Sequence, residues 1–111
     1  MSVELNNILQ QCENGLFEIF ENKLKKVILY GSYARGDFEN ESDIDIIALV
    51  EMTDNNIIDK QKIIIDLGAT ISYENNIMVF IMVKDVNHFN NWLPVYPLYK
   101  NIITEGVTFF G

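Results

Sequence analysis

Residues 27–50, VILYGSYARGDFENESDIDIIALV, leave the chain few folds to choose from. Two apolar runs rich in Val and Ile, residues 27–30 and 46–50, flank a polar stretch. Both runs are too short for a stable helix and have the composition of buried strands, so the segment reads as strand, polar loop, strand. A strand turns successive side chains to opposite faces, which puts Asp43 and Asp45 on one face with Cα atoms about 6.5 Å apart. Two carboxylates at the mouth of a buried strand repel each other and are costly to desolvate without a cation or a proton between them. Mg²⁺ suits such a pair, because it takes oxygen ligands and shares its shell between one or two carboxylates and substrate phosphates.

The first half of the segment points to phosphate. Gly31 ends the first strand where the backbone must bend or admit a ligand, and Ser32 is placed to cap a short helical turn starting at Tyr33, Ala34 and Arg35. Amides exposed at such a turn, the Ser32 hydroxyl and the Arg35 guanidinium would together hold phosphate oxygens. A P-loop is excluded. Gly31 and Gly36 have its glycine spacing, but Asp37 and Phe38 stand where Lys and Ser or Thr are needed.

Gly31-Ser32, ten residues, then Asp43-Ile44-Asp45, with Ala34-Arg35-Gly36 between, resembles the signature of the minimal nucleotidyltransferases, small members of the DNA polymerase β-like superfamily. The stretch Asn101-Ile102-Ile103-Thr104-Glu105-Gly106-Val107 is similar to the ending of the short members that pair with HEPN-domain toxins. The resemblance implies an α/β (α+β) fold, a small mixed β-sheet flanked by helices. It also implies adenylyl transfer from ATP, with Gly31 and Ser32 gripping the β,γ-phosphates and Asp43 and Asp45 holding one or two Mg²⁺ ions. The acceptor would be a hydroxyl, a tyrosine, on a HEPN-domain ribonuclease toxin, so that the chain acts as an antitoxin within a hetero-oligomer. Two rival functions are a non-catalytic module that neutralises the toxin by occupying it, and nucleotidyl transfer to a small molecule.

A length of 111 residues predicts one domain, residues 1–111, without the thumb and finger lobes of a polymerase. The formal charge is −8, and no run of Lys or Arg exceeds Lys25-Lys26, which argues against direct binding of nucleic acid and for a basic protein partner. Cys12 is the only cysteine, which excludes an intrachain disulfide and assigns that thiol to packing. No apolar run is long enough to span a bilayer and no leader is evident, so a cytoplasmic location with no membrane contact is expected.

Elsewhere, Val3, Leu5, Ile8, Leu9, Cys12, Leu16, Ile19 and Phe20 recur at helical spacing and predict an amphipathic helix from Ser2 to Asn22. The loop carries Asp37, Glu39 and Glu41 as solvated charge. Residues 56–73 predict a helix capped by Asp54 or Asn55, followed by a strand over residues 77–83. Strand, helix, strand implies a parallel pair, with Asp85 at the end away from the motif aspartates. Many superfamily members carry a third carboxylate on that adjoining strand. The matching position here is Asn76, and the resemblance therefore makes Glu74, two residues earlier, the third catalytic carboxylate if the strand begins that soon. Asp85 should cap a short helix through Val86, Phe89 and Trp92, and His88 has a surface or capping role. A last helix over residues 96–104 should start around Pro97 and end at Gly106, before an edge strand over residues 107–110. The aromatics Tyr96, Tyr99, Phe109 and Phe110 read as core or cover, or as a protein interface if they form a surface patch.

Overall fold

The computed structural model describes residues 3–39 and 42–111. The expected helix start at Ser2 and Glu41 of the acidic loop lie outside the described residues. The strands are β1 (Leu24–Tyr30), β2 (Ile44–Val50), β3 (Val79–Asp85) and β4 (Val107–Phe110). They form one mixed sheet in the order β3-β2-β1-β4, with β2 and β3 parallel and the other two pairs antiparallel. The helices are α1 (Val3–Phe20), α2 (Ser32–Arg35), α3 (Asp54–Ile58), α4 (Gln61–Asn75), α5 (Val86–Trp92) and α6 (Pro97–Glu105). The mixed sheet flanked by helices, the parallel pair and the C-terminal edge strand all match the sequence expectation.

Alternation along β1 and β2 sorts the core into two layers. Val27 and Leu29 of β1, with Ile44, Ile46, Ala48 and Val50 of β2, pack under α1 and α4. Ile28, Ile47 and Leu49 face the opposite way, against Phe89 of α5 and Tyr99 and Ile102 of α6. β2 is therefore buried on both faces along most of its length, which accounts for its unbroken apolar sequence after Asp45. Cys12 is fully buried between α1 and the sheet, and burial pushes its thiol up to about 12, so it packs as a small apolar group.

Three local expectations are corrected. The helix expected over residues 56–73 is two helices broken at Asp59 and Lys60, and its cap is neither Asp54 nor Asn55 but Thr53, whose hydroxyl accepts from the Asn56 amide. Ser32 does not cap α2: Gly31 holds the cap position and Ser32 is the first helical residue. Finally, α4 continues through Glu74 to Asn75 and closes on Asn76 in the left-handed conformation, so β3 begins at Val79 rather than at residue 77. Asp85 does cap α5, accepting from the Asn87 amide at 2.9 Å, and lies opposite Val50 at the far end of the parallel pair.

Gly106 joins α6 to β4, its amide donating to the Ile102 carbonyl at 2.8 Å. A Cβ there would run into that carbonyl oxygen and lie 2.6 Å from Ile28 Cγ2. Because the obstruction is backbone and buried side chain, it cannot swing aside. Gly106→Ala should therefore lower unfolding stability by about 1–3 kcal/mol, read as a lower midpoint in a urea titration. An unchanged midpoint would contradict this packing of α6 on β1.

Candidate active site

The first strand delivers Tyr30 and then Gly31, whose φ of +77° and ψ of −156° lie in a region essentially confined to glycine. This sharp exit lets the backbone pass directly over Asp45: a Cβ on Gly31 would lie 2.6 Å from Asp45 Oδ2. The turn then closes as α2, with the Arg35 amide donating to the Gly31 carbonyl at 3.1 Å and Gly36 ending it in the left-handed conformation. The leading amides of a helical turn have no acceptor within the turn, so the strand exit presents donors beside the carboxylates. From the neighbouring strand, Asp45 pairs in register with Tyr30, and Asp43 directly precedes β2.

These groups meet in a cavity of about 470 Å³. Gly31, Ser32, Arg35, Asp43 and Asp45 all line it, so five of the six residues singled out in the sequence converge. Glu74 is not among the lining residues. It sits exposed in the last turn of α4, within the helical layer that packs on the face opposite the one bearing Asp45. Its neighbour Asn75 is turned toward α1, donating to Gln11 Oε1 at 3.0 Å. On the adjoining strand, the residue in register with Asp45 is Phe80, whereas Asn76, where the resemblance put the third-carboxylate position, closes α4 before that strand begins.

The remaining wall went unread in the sequence. Tyr30 contributes from β1, and Leu98, Asn101, Ile102 and Glu105 come from one face of α6. Glu105 reaches Arg35, with Oε2 3.4 Å from Nη1, while Asp37 Oδ2 takes Arg35 Nε at 3.2 Å. Arg35 is thus held across the cavity mouth by two exposed carboxylates. The signal that could have found this wall is the Asn101 to Val107 stretch, whose likeness to a family ending reflects a helix facing the site.

Burial raises the Asp45 carboxyl above its ordinary range, the Asp43 charge raises it further, and Arg35 opposes both. Burial and the Asp45 charge push the Tyr30 hydroxyl up to about 12, so it remains a proton donor at neutral pH. Two neighbouring aspartates are an all-oxygen site suited to a divalent cation. Among the described residues no cluster of three or more His, Cys, Asp or Glu could enclose a metal alone, so water and phosphate oxygens would complete the shell. Magnesium tolerates that sharing.

Residues 14–111 match the family described as "Polymerase beta, Nucleotidyltransferase". The chain belongs to this family and is a nucleotidyltransferase. Over 77 residues it is 42% identical to "Putative protein adenylyltransferase MJ0141" of Methanocaldococcus jannaschii, spanning 69% of this chain and 76% of that protein. A toxin-antitoxin crystal structure with AMP-PNP overlays at a TM-score of 0.62 and 23% identity, covering 92% of this chain and 72% of that one. A complex of a tri-AMPylated HEPN toxin of Shewanella oneidensis with MNT antitoxin overlays at 0.57 and 21% identity, covering 98% and 71%. At these identities the two structures attest the fold. Among the described residues, no helix is long and apolar enough to cross a membrane.

Proposed function

We propose that this chain transfers AMP from ATP to a tyrosine hydroxyl of a HEPN-domain toxin and thereby acts as its antitoxin. The observation that carries the transferase reading is the approach of the Gly31 backbone to Asp45 within one cavity, which sets the Ser32 turn against the paired aspartates. The toxin as acceptor is supported by the shared fold of the toxin-antitoxin complexes and by the net charge of −8, suited to a basic partner that binds RNA.

In this reading Gly31 and the leading amides of α2 orient the β,γ-phosphates, the Ser32 hydroxyl adds a hydrogen bond, and Arg35, held by Glu105, neutralises charge. Tyr30 donates from the cavity wall. Mg²⁺ held by Asp43 and Asp45 would neutralise the phosphates and activate the attacking oxygen. The acceptor oxygen forms a bond to the α-phosphorus, the bond to the bridging oxygen breaks, and pyrophosphate leaves. Phe80 offers no base beside Asp45, so the acceptor proton passes to water or to one of the two aspartates.

Phe80 at that position also favours a second reading, a chain that neutralises the toxin by binding alone. Radiolabel separates the two. With a HEPN-domain toxin present, α-labelled ATP should mark the toxin, γ-labelled ATP should not, and EDTA should abolish the transfer. An inhibited toxin that carries no label would support the binding module, and label appearing only in a small molecule would overturn the toxin as acceptor.

A further inference from the structure

Beside the catalytic cavity lies a second one, of about 390 Å³. Its walls are Met82 and Lys84 of β3, His88 and Trp92 of α5, Tyr96 at the cap position of α6, and Tyr99 of α6. Leu98 lines both cavities and is the partition between them. The catalytic cavity follows α6 from Glu105 back to Leu98, a helical rise of about 10 Å. One end is therefore the Arg35 and Glu105 pair, and the other ends at Leu98, which is shared with the aromatic cavity.

Those rings pack on one another. Tyr99 is buried, with its ring centroid 4.4 Å from Phe89 and 4.6 Å from Tyr96, the latter edge to face. Trp92 and Tyr96 are nonetheless 52% and 47% exposed, far more than aromatics used only as core. His88 lies beside them, its Nδ1 3.7 Å from Asp54 Oδ2 and its ring 6.1 Å from that of Trp92. A few placed polar groups in a mainly apolar, concave and preformed site are the marks of small-molecule recognition.

We propose that this aromatic cavity holds the nucleobase of the nucleoside triphosphate, an inference that rests on the nucleotidyl-transfer reading above. A base is flat, stacks on any exposed aromatic face, and is tethered to phosphates that this geometry positions about one α6 face away. Lys84 and His88 supply hydrogen-bonding groups for the ring edge, and Leu98 packs against the sugar between the two cavities.

Trp92 is the only tryptophan, so its emission reports on this cavity directly. The full chain is titrated with ATP and with inorganic tripolyphosphate, each with Mg²⁺, in the wild type, Tyr96→Ala and Tyr96→Phe. ATP should change Trp92 emission saturably, while tripolyphosphate should compete with ATP without changing that emission itself. Tyr96→Ala should weaken ATP binding at least about fivefold and raise KM for ATP with little change in kcat, leaving tripolyphosphate affinity unchanged. Tyr96→Phe should bind as the wild type does. Unmoved emission, with ATP no tighter than tripolyphosphate, overturns the base site while the transferase reading stands. A Tyr96→Ala chain that binds ATP normally but loses its protein partner assigns the cavity to the acceptor instead. Failure of both ligands to bind would remove the two readings together.

Discussion

Asp45→Asn is expected to reduce AMP transfer by on the order of 10²–10³ while leaving the fold at least as stable as the wild type. The two effects share one cause. In the folded chain the Asp45 carboxylate is partly buried and faces Asp43, and both raise its pKa above the unfolded value of about 3.9. A carboxyl with a raised folded pKa binds more protons in the folded state than in the unfolded state. Its favourable contribution is thus complete below the unfolded pKa and is lost as pH rises through the folded one. At neutral pH the ionised group opposes folding, and an isosteric amide removes that cost along with the proposed metal ligand. The Tm of Asp45→Asn relative to wild type should therefore increase as pH is raised from below 4 toward neutrality. Adding Mg²⁺ should raise the wild-type Tm and leave that of the variant nearly unchanged. A variant that loses stability at neutral pH would show that Asp45 is a structural group and not a strained functional one.

Gly31→Ala comes next in size. The conformation at φ +77° and ψ −156° costs a residue bearing Cβ about 1–3 kcal/mol, and that methyl would also meet the Asp45 carboxylate at 2.6 Å. Relief must come from a shift of the turn or of the carboxylate, and either one separates the proposed phosphate grip from the proposed metal site. A misplacement of about 1 Å lowers activity by roughly 10²-fold. Transfer should fall to that extent, whereas Gly36→Ala, also at positive φ but with open space around its Cβ, should lose stability and keep most of the activity. Equal activity losses in the two variants would mean that Gly31 is needed for the turn and not for its approach to Asp45.

Much of the site was legible because it is local. The strand exit at Gly31, the turn through Arg35 and the return at Asp43 and Asp45 lie within fifteen residues, and alternation on β2 fixes which carboxylates share a face. The wall made by Asn101, Ile102 and Glu105 was not legible in the same way. Those residues arrive through pairing of β1 with β4 across the length of the chain, and spacing along one helix does not say what the helix faces. Glu74 misled for a different reason. Tyr73-Glu74-Asn75-Asn76 reads as a loop entering a strand, yet the left-handed turn at Asn76 lets α4 run to Asn75 and keeps Glu74 in the helical layer. Thr53 and Asp54 are both good capping residues, and tertiary contact decided between them: Asp54 Oδ1 accepts from the Asp85 amide at 3.2 Å, which leaves Thr53 to cap α3.

The most direct test of the account is the intact mass of a HEPN-domain toxin after incubation with this chain, ATP and Mg²⁺, beside an Asp43→Ala, Asp45→Ala control. The expected result is a toxin heavier by whole AMP residues with the wild type, unchanged with the control, and inactive as a ribonuclease only when modified. An unmodified toxin held in a stable, inactive complex by both the wild type and the control would contradict the enzyme and leave a binding module.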